Sequence, residues 1–303
     1  MTTTPSEPNP DSHARLPAFA SVRPRENFPV LSAVVSKPLR PGFAAVYSFC
    51  RVSDDIADDP IREPAERLEM LRRWRGELDA AFLGRPRLPI MSALARAAER
   101  YDLPAAPFHR LLDAFEQDQS TTEYETWDEI VRYAQLSANP VGELVLRIGG
   151  HVPADQGWAE LVRLSDATCT ALQFVNFWQD VRRDLLELNR LYIPFESSGM
   201  RPDAWRQLAH ERQSSTGVAR FRSIIEPLLD RTDAMMRSAA ELPAVVTSEL
   251  VKPISLFQQA GLHVAQRIRS TGFATLWRRP AVSRLRLVCM TAAILLRPAR
   301  AAG

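Results

Sequence analysis

A chain of 303 residues with 46% hydrophobic content is long enough for one large domain or two ordinary ones, at roughly 150 residues each. With 38 Lys plus Arg against 36 Asp plus Glu, its net charge of +2 argues against a dedicated nucleic-acid binder, which would concentrate basic charge on its surface. No run reaches the ~20 apolar residues of a membrane span, because the longest, Leu285 to Leu296, is only about 12 residues and Arg286 interrupts it.

Residues 1–24 are rich in Pro, Ser and Thr, lack hydrophobic periodicity and read as a disordered arm. No basic segment followed by an apolar stretch marks them for secretion. From Gly42 onward apolar residues recur at helical intervals, and Pro or Gly is expected to punctuate the segments rather than lie inside them. The pattern predicts helices over 42–58, 64–83, 90–101, 107–118, 127–149, 157–188, 217–241, 249–271 and 281–296. Hairpin dipeptides, βαβ alternation and a glycine-rich phosphate loop are all missing, which removes Rossmann and P-loop readings. With no solenoid repeat and no internal linker, the expected fold is all-α. It comprises one domain over 25–297 and a short tail, 298–303. Cys50, Cys169 and Cys289 are widely spaced and odd in number, as expected of reduced core thiols in a cytosolic protein.

Two segments carry chemistry. In the first, Tyr47, Arg51, Asp54 and Asp58 are spaced four, three and four residues apart and form one stripe on a helix. In the second, Gln173, Asn176, Asp180 and Asp184 follow at three, four and four, while Phe174, Val175, Phe177 and Trp178 form the apolar side. Like charges one turn apart cost an isolated helix roughly 0.2–0.5 kcal/mol per pair, a cost that a divalent cation removes. Magnesium takes hard oxygen donors and shares its remaining positions with water and substrate phosphates. Two acidic stripes across a cavity suit several such ions around one diphosphate; each alone also fits a solvated face with arginine partners. Just beyond lies Asn189-Arg190-Leu191-Tyr192-Ile193-Pro194, where a guanidinium and a phenol could close over a diphosphate. Asp118, in Phe115-Glu116-Gln117-Asp118, could point into the cavity, although an exposed carboxylate at a helix end needs no such role.

These segments resemble the signatures of the squalene/phytoene synthase family, head-to-head prenyl transferases of the all-α isoprenoid synthase fold. Tyr47 to Asp58 is similar to its Y-x-x-x-R-x-x-D-D-x-x-D, Gln173 to Asp184 to its Q-x-x-N-x-x-x-D-x-x-x-D, and Arg190 to Pro194 to its R-x-Y-x-P. The resemblance implies a helical bundle with a central cavity, in which Asp54, Asp58, Asn176, Asp180 and Asp184 ligate Mg2+. It places Arg51 and Arg190 on the diphosphate of a prenyl diphosphate substrate, and Tyr47, Tyr133, Gln173 and Tyr192 around the reaction cavity.

Glu26-Asn27-Phe28-Pro29-Val30 and Ser137-Ala138-Asn139-Pro140-Val141-Gly142 look most like the hopanoid-pathway branch called HpnC, the hydroxysqualene synthases. Gln179 stands where the family usually has Arg, and Ala138-Asn139-Pro140 replaces its small Ala-Gly-Thr element. This branch implies ionisation of presqualene diphosphate, cyclopropane opening and capture by water rather than hydride, so NADPH is not expected. A presqualene diphosphate synthase would supply the substrate. Presqualene diphosphate, dehydrosqualene or phytoene synthesis is the alternative within the family, and a silent helical scaffold the alternative outside it. Aromatic rings such as Tyr47, Tyr133 and Phe174 are expected to stabilise the cation, Asn139 or Tyr133 to position the water, and an apolar tunnel to hold the C30 tail. Arg278, Arg279, Arg284, Arg286, Arg297 and Arg300 flank the C-terminal apolar stretch. That segment is a candidate for peripheral contact with anionic lipid at the cytoplasmic membrane, and equally fits a final bundle helix.

Overall fold

The computed structural model describes residues 33–280 together with Thr291 and Ile294. The arm 1–24, the tail 298–303, Cys289 and most of the helix expected at 281–296 lie outside the described residues. Within them the chain forms α1 (Arg40–Ala57), α2 (Pro64–Phe82), α3 (Pro89–Tyr101), α4 (Ala106–Gln117), α5 (Trp127–Ser137) and α6 (Asn139–Ile148). There follow α7 (Trp158–Leu186), α8 (Phe195–Ser198), α9 (Pro202–His210), α10 (Ser215–Ser238), α11 (Leu242–Val245) and α12 (Ser248–Ser270). No strand occurs among the described residues; the one β-type contact is an isolated parallel bridge between Glu123 and Leu191.

The helix starts follow from local chemistry. Pro64 and Pro89 open α2 and α3, where a missing N–H has no cost. Thr126 caps α5 by accepting from the Glu129 N–H at 3.3 Å while the Glu129 carboxylate accepts from the Thr126 N–H at 3.3 Å. Ser214 caps α10 through the Gly217 N–H at 3.0 Å.

Three expectations need correction. The single helix expected over 127–149 breaks at Ala138 (φ −128°, ψ −46°) into α5 and α6. Pro140 supplies no N–H to continue the ladder, and its ring opposes the preceding helical turn. Prolines do lie inside helices, Pro227 in α10 and Pro253 in α12. The short α8, α9 and α11 were not anticipated. The buried Trp205, Leu208 and Ala209 show that a nine-residue helix can seat itself with a single apolar triad.

The 29-residue α7 runs through the middle of the molecule, packing against α5, α6, α10 and α12. Its first half contributes Leu161 and Leu164 to an apolar cluster built mainly by α1–α4 and α6. Its second half contributes Phe174, Phe177, Trp178, Val181 and Leu185 to another, shared with α5, α9 and α10. Buried Ser165, Thr168 and Thr170 lie between the two. Trp178 donates its indole N–H to Thr232 of α10 at 2.9 Å, and Gln258 of α12 donates to Thr168 at 3.1 Å. Close approach to α6 depends on Gly142, where a Cβ would lie 2.3 Å from Ser165 Oγ. Cys50 and Cys169 are free thiols, and burial pushes both up to about 12, as expected of inert core residues. No described helix is long and apolar enough to cross a membrane.

Candidate active site

The two acidic stripes end side by side because of how the chain leaves α7. Asn189 adopts a left-handed conformation (φ 55°) and reverses the chain. The Arg190 N–H then bonds to the Asp184 carbonyl at 2.8 Å, and the Leu191 N–H to the Thr122 carbonyl at 2.8 Å. Phe195 continues the pairing with an N–H to the Tyr124 carbonyl at 2.9 Å. This strap lays Arg190 and Tyr192 between the C-terminal ends of α1, α4 and α7.

At α1 the buried face is Phe49, Val52, Ser53, Ile56 and Ala57. Ser53 lies within the acidic motif yet serves the core, accepting from the Trp74 indole N–H at 3.0 Å. The opposite edge presents Asp54 and Asp58. Arg51 pairs with Asp54 at 2.9 Å and also with Asp55. Asp58 receives Arg183 at 2.9 Å and Arg190 at 2.6 Å, and Arg183 reaches on to Asp184 at 3.8 Å. Asp180 is held by both guanidinium arms of Arg279. Burial, reinforced by Asp180 and opposed by Arg183, pushes the Asp184 carboxyl up to about 8. Burial and Asp58, against Arg51, push Asp54 up to about 6. Both shifts come first from desolvation, with the neighbouring carboxylates adding to it.

Beside this acidic edge lies an aromatic box. The Tyr192 ring stacks on Phe177 at 3.9 Å between centroids, with Tyr133 at 5.5 Å and Tyr124 at 5.9 Å. The crevice against Phe177, Val181, Asp184, Arg190 and Tyr192 is closed, without room for a single water molecule, so a C30 tail entering here would have to displace side chains. A more open groove of about 550 Å³ lies at Trp127 and Met235, lined by Asp128, Glu196 and Arg231 and by none of the residues of the two acidic stripes. Trp127 packs edge-on against Phe174 at 4.8 Å.

The structure thus brings Arg51, Asp54, Asp58, Asp180, Asp184, Arg190 and, next to them, Tyr133 and Tyr192 into one region. Tyr47 and Gln173 are half-buried further along their helices, and Asn176 is exposed. Asn139 is buried at the α5–α6 break, accepting from Thr170 Oγ1 at 2.9 Å.

Of the two readings of Asp118 the structure shows the inward one: it is only 6% accessible. Tyr133 donates its hydroxyl to it at 2.7 Å, Tyr192 at 3.4 Å, and Arg190 lies 3.6 Å away. Burial pushes Asp118 up to about 6 against the pull of Arg190 and Tyr133. The signal was present in the sequence, since Asp118 follows Leu111 and Ala114 at the spacing of the buried α4 face. Phe177, assigned to the apolar side, instead stacks within the cavity wall. Arg183 and Arg279 were also missed. Gln179 is buried and donates to the Pro280 carbonyl at 2.6 Å, which anchors the segment that delivers Arg279. Arg279 thus reaches Asp180 from another part of the chain.

Comparison with known proteins places these features in context. The squalene/phytoene synthase family profile matches residues 22–286. The hydroxysqualene synthase of Zymomonas mobilis is 36% identical over 171 residues, 56% of this chain and 54% of that protein. The hydroxysqualene synthase of Rhodopseudomonas palustris is 37% identical over 170 residues, 56% of this chain and 55% of that protein. The aligned part of the chain thus spans only about half the length of these curated relatives. The presqualene diphosphate synthase of Rhodopseudomonas palustris is 27% identical over 246 residues, covering 80% of this chain and 82% of that protein. Among solved structures, the squalene synthase HpnC from Alicyclobacillus acidocaldarius superposes with a TM-score of 0.70 at 37% identity, covering 82% of this chain and 89% of that one. A dehydrosqualene synthase superposes with a TM-score of 0.74 at 20% identity, covering 88% and 89%, a likeness of fold.

Proposed function

Because the chain belongs to the squalene/phytoene synthase family, we propose that it converts presqualene diphosphate to hydroxysqualene by ionisation, cyclopropane opening and water capture. The observation that carries this reading is the meeting of Asp58 and Asp184 across one Arg183 guanidinium, directly beside an aromatic box. Identity of 36–37% to hydroxysqualene synthases, against 27% to a presqualene diphosphate synthase, supports the branch.

The donor set suits magnesium. Asp54, Asp58, Asp180 and Asp184 are hard oxygen donors, and the mutual repulsion of Asp54 with Asp58 and of Asp180 with Asp184 is a cost that a divalent cation would relieve. Among the described residues no three acidic, His or Cys side chains form a cage around one point. An ion here would be held by one or two carboxylates and completed by water and substrate phosphate. Asp54 and Asp58 on α1, with Asn176, Asp180 and Asp184 on α7, would hold Mg2+, which supplies Lewis-acid neutralisation of the departing diphosphate. Arg51, Arg183 and Arg279 would be the arginines able to leave the carboxylates for diphosphate oxygens, which paired N–H donors suit. Arg190 keeps its place, since it is buried and tied to the Ala57 carbonyl at 3.1 Å as well as to Asp58. The rings of Tyr133, Tyr192 and Phe177 line the path of the cation, each worth about 0.5–2 kcal/mol. The reading requires no NADPH. It places the chain after a presqualene diphosphate synthase, with the C-terminal basic segment as a site of peripheral membrane contact.

A second reading, presqualene diphosphate synthesis from two farnesyl diphosphates, is favoured by the longer alignment to the enzyme of that name. Presqualene diphosphate and farnesyl diphosphate, offered separately with Mg2+ and without NADPH, decide between them by mass spectrometry. Hydroxysqualene from the first is the expected result; presqualene diphosphate, dehydrosqualene or phytoene as main product would overturn it. Asp54→Ala and Asp180→Ala are expected to fold normally and to lose diphosphate release by at least a hundredfold, roughly 2.7 kcal/mol of barrier.

A further inference from the structure

Of the three partly exposed arginines of the acidic edge, two have a backbone that is already fixed. Arg51 lies on α1 and Arg183 on α7, so a helix holds each of them whatever their guanidiniums do. Arg279 has no such frame. It belongs to the segment 271–280 after α12, where Gly272 (φ 70°) and Phe273 (φ 60°) turn the chain in left-handed conformations. A loop arginine loses much rotamer freedom when it is ordered, and its paired donors offset that loss only if the backbone beneath them is already in place.

Three side chains put it there. The Trp277 indole N–H donates to the Glu211 carbonyl at 3.1 Å, and Arg182 donates to the Leu276 carbonyl at 3.2 Å. Gln179, only 8% accessible, donates its amide to the Pro280 carbonyl at 2.6 Å. Gln179 and Arg182 are neighbours on one face of α7 and hold carbonyls on either side of Arg279, Gln179 taking the residue next to it. Gln179 also directly precedes Asp180. One turn of α7 therefore fixes both a carboxylate and the backbone of the arginine that grips it with two guanidinium arms. An amide does this without adding charge beside Asp180 and Asp184. None of the three anchoring bonds involves a carboxylate. An ion that took Asp180 would break the Arg279–Asp180 pair and leave the anchors in place.

We propose that Gln179 is a positioning residue, which holds the 271–280 segment on α7 so that Arg279 stays aimed at the diphosphate once Asp180 has gone to metal. Arg279 is the group that touches substrate; Gln179 acts through it. This rests on the reading of the site as one for a prenyl diphosphate with magnesium.

A double-mutant cycle tests it, with calorimetric binding of inorganic diphosphate in Mg2+ as the probe. Gln179→Met keeps the length of the side chain and removes its donor, and Arg279→Gln removes the guanidinium. Gln179→Met is expected to weaken diphosphate binding about five- to tenfold in the parent chain and less than about twofold in the Arg279→Gln background. The same pattern is expected in kcat/KM for diphosphate release from presqualene diphosphate. An equal loss in both backgrounds is what a merely structural role gives and overturns the proposal, as does the absence of any loss in the parent chain. If circular dichroism shows that Gln179→Met does not fold, Gln179→Ala takes its place in the cycle. Coupling in the diphosphate cycle with no hydroxysqualene from presqualene diphosphate would remove the function reading and leave the role of Gln179 standing. A parent chain that binds no diphosphate in Mg2+ removes both.

Discussion

Arg190 offers the sharpest separation between a structural and a substrate-binding arginine. It is 5% accessible, pairs with Asp58 at 2.6 Å and Asp118 at 3.6 Å, and donates to the Ala57 and Asp118 carbonyls at 3.1 and 3.3 Å. Arg190→Met keeps most of the volume and removes all four interactions, leaving Asp118 buried without a counter-charge. Breaking a buried pair by removing one partner costs about 3–5 kcal/mol. For a domain of this size that is a fall of about 6–20 °C in melting temperature. The pH dependence follows from Asp118, which burial already holds at about 6 despite the guanidinium. Without Arg190 its folded-state value climbs further above the ~3.9 of an unfolded aspartate. Between those values the folded state binds more protons, so stability falls as pH rises, and the deficit should be larger near pH 8 than near pH 5. Urea unfolding followed by circular dichroism at both pH values measures it. A deficit below about 1 kcal/mol, flat with pH, is what an exposed pair gives and would refute the buried assignment.

Asp184, held at about 8 by burial and by Asp180, makes the metal-free protein lose stability as pH rises from about 4 to about 8. Asp184→Asn should flatten that slope and Mg2+, which selects the ionised form, should oppose it; a scanning-calorimetry series with no change in slope contradicts the assignment. Gly142→Ala should cost about 1–3 kcal/mol, because its Cβ would lie 2.3 Å from Ser165 Oγ and 2.8 Å from Cys169 Sγ. Gly76→Ala, in α2 with open space around the added carbon, should instead stabilise by up to about 1 kcal/mol. Equal effects from the two in chemical denaturation would mean that helix propensity, not the contact of α6 with α7, decides at Gly142.

The long helices and both acidic stripes were legible because each rests on spacing within one segment. Asp54 and Asp58 are neighbours on α1 whatever surrounds them, as are Asp180 and Asp184 on α7. What spacing could not give is which side chains meet across segments. Arg279 belongs to a basic stretch that reads as a tail, and only the Gln179 bond to the Pro280 carbonyl carries it to Asp180. Phe177 belongs to an apolar stripe, and only the reversal at Asn189 brings Tyr192 onto its face. The break at Ala138 was legible from Pro140 but was overridden by the helical periodicity on both sides. Asp118 has the register of a buried residue on α4, but the cation that meets it, Arg190, comes from a distant segment and is invisible to spacing.

The arginines of the site fall into two kinds, and on the proposed function the division lets one region fold without metal and still take it up. Five carboxylates, Asp54, Asp58, Asp118, Asp180 and Asp184, face four guanidiniums, Arg51, Arg183, Arg190 and Arg279. Arg190 is buried and cannot leave without exposing Asp118 to a low-dielectric interior. Arg51, Arg183 and Arg279 have 33%, 45% and 58% of their side chains exposed. Ion pairs at such exposure are worth about 0–1 kcal/mol each, so their release costs little. They offset the carboxylate charge in the free protein and can yield it to divalent ions. The same guanidiniums, freed at the rim, are then the nearest donors to an incoming diphosphate. Metal alone would strand them and diphosphate alone would meet the carboxylates, so the arrangement favours both arriving together.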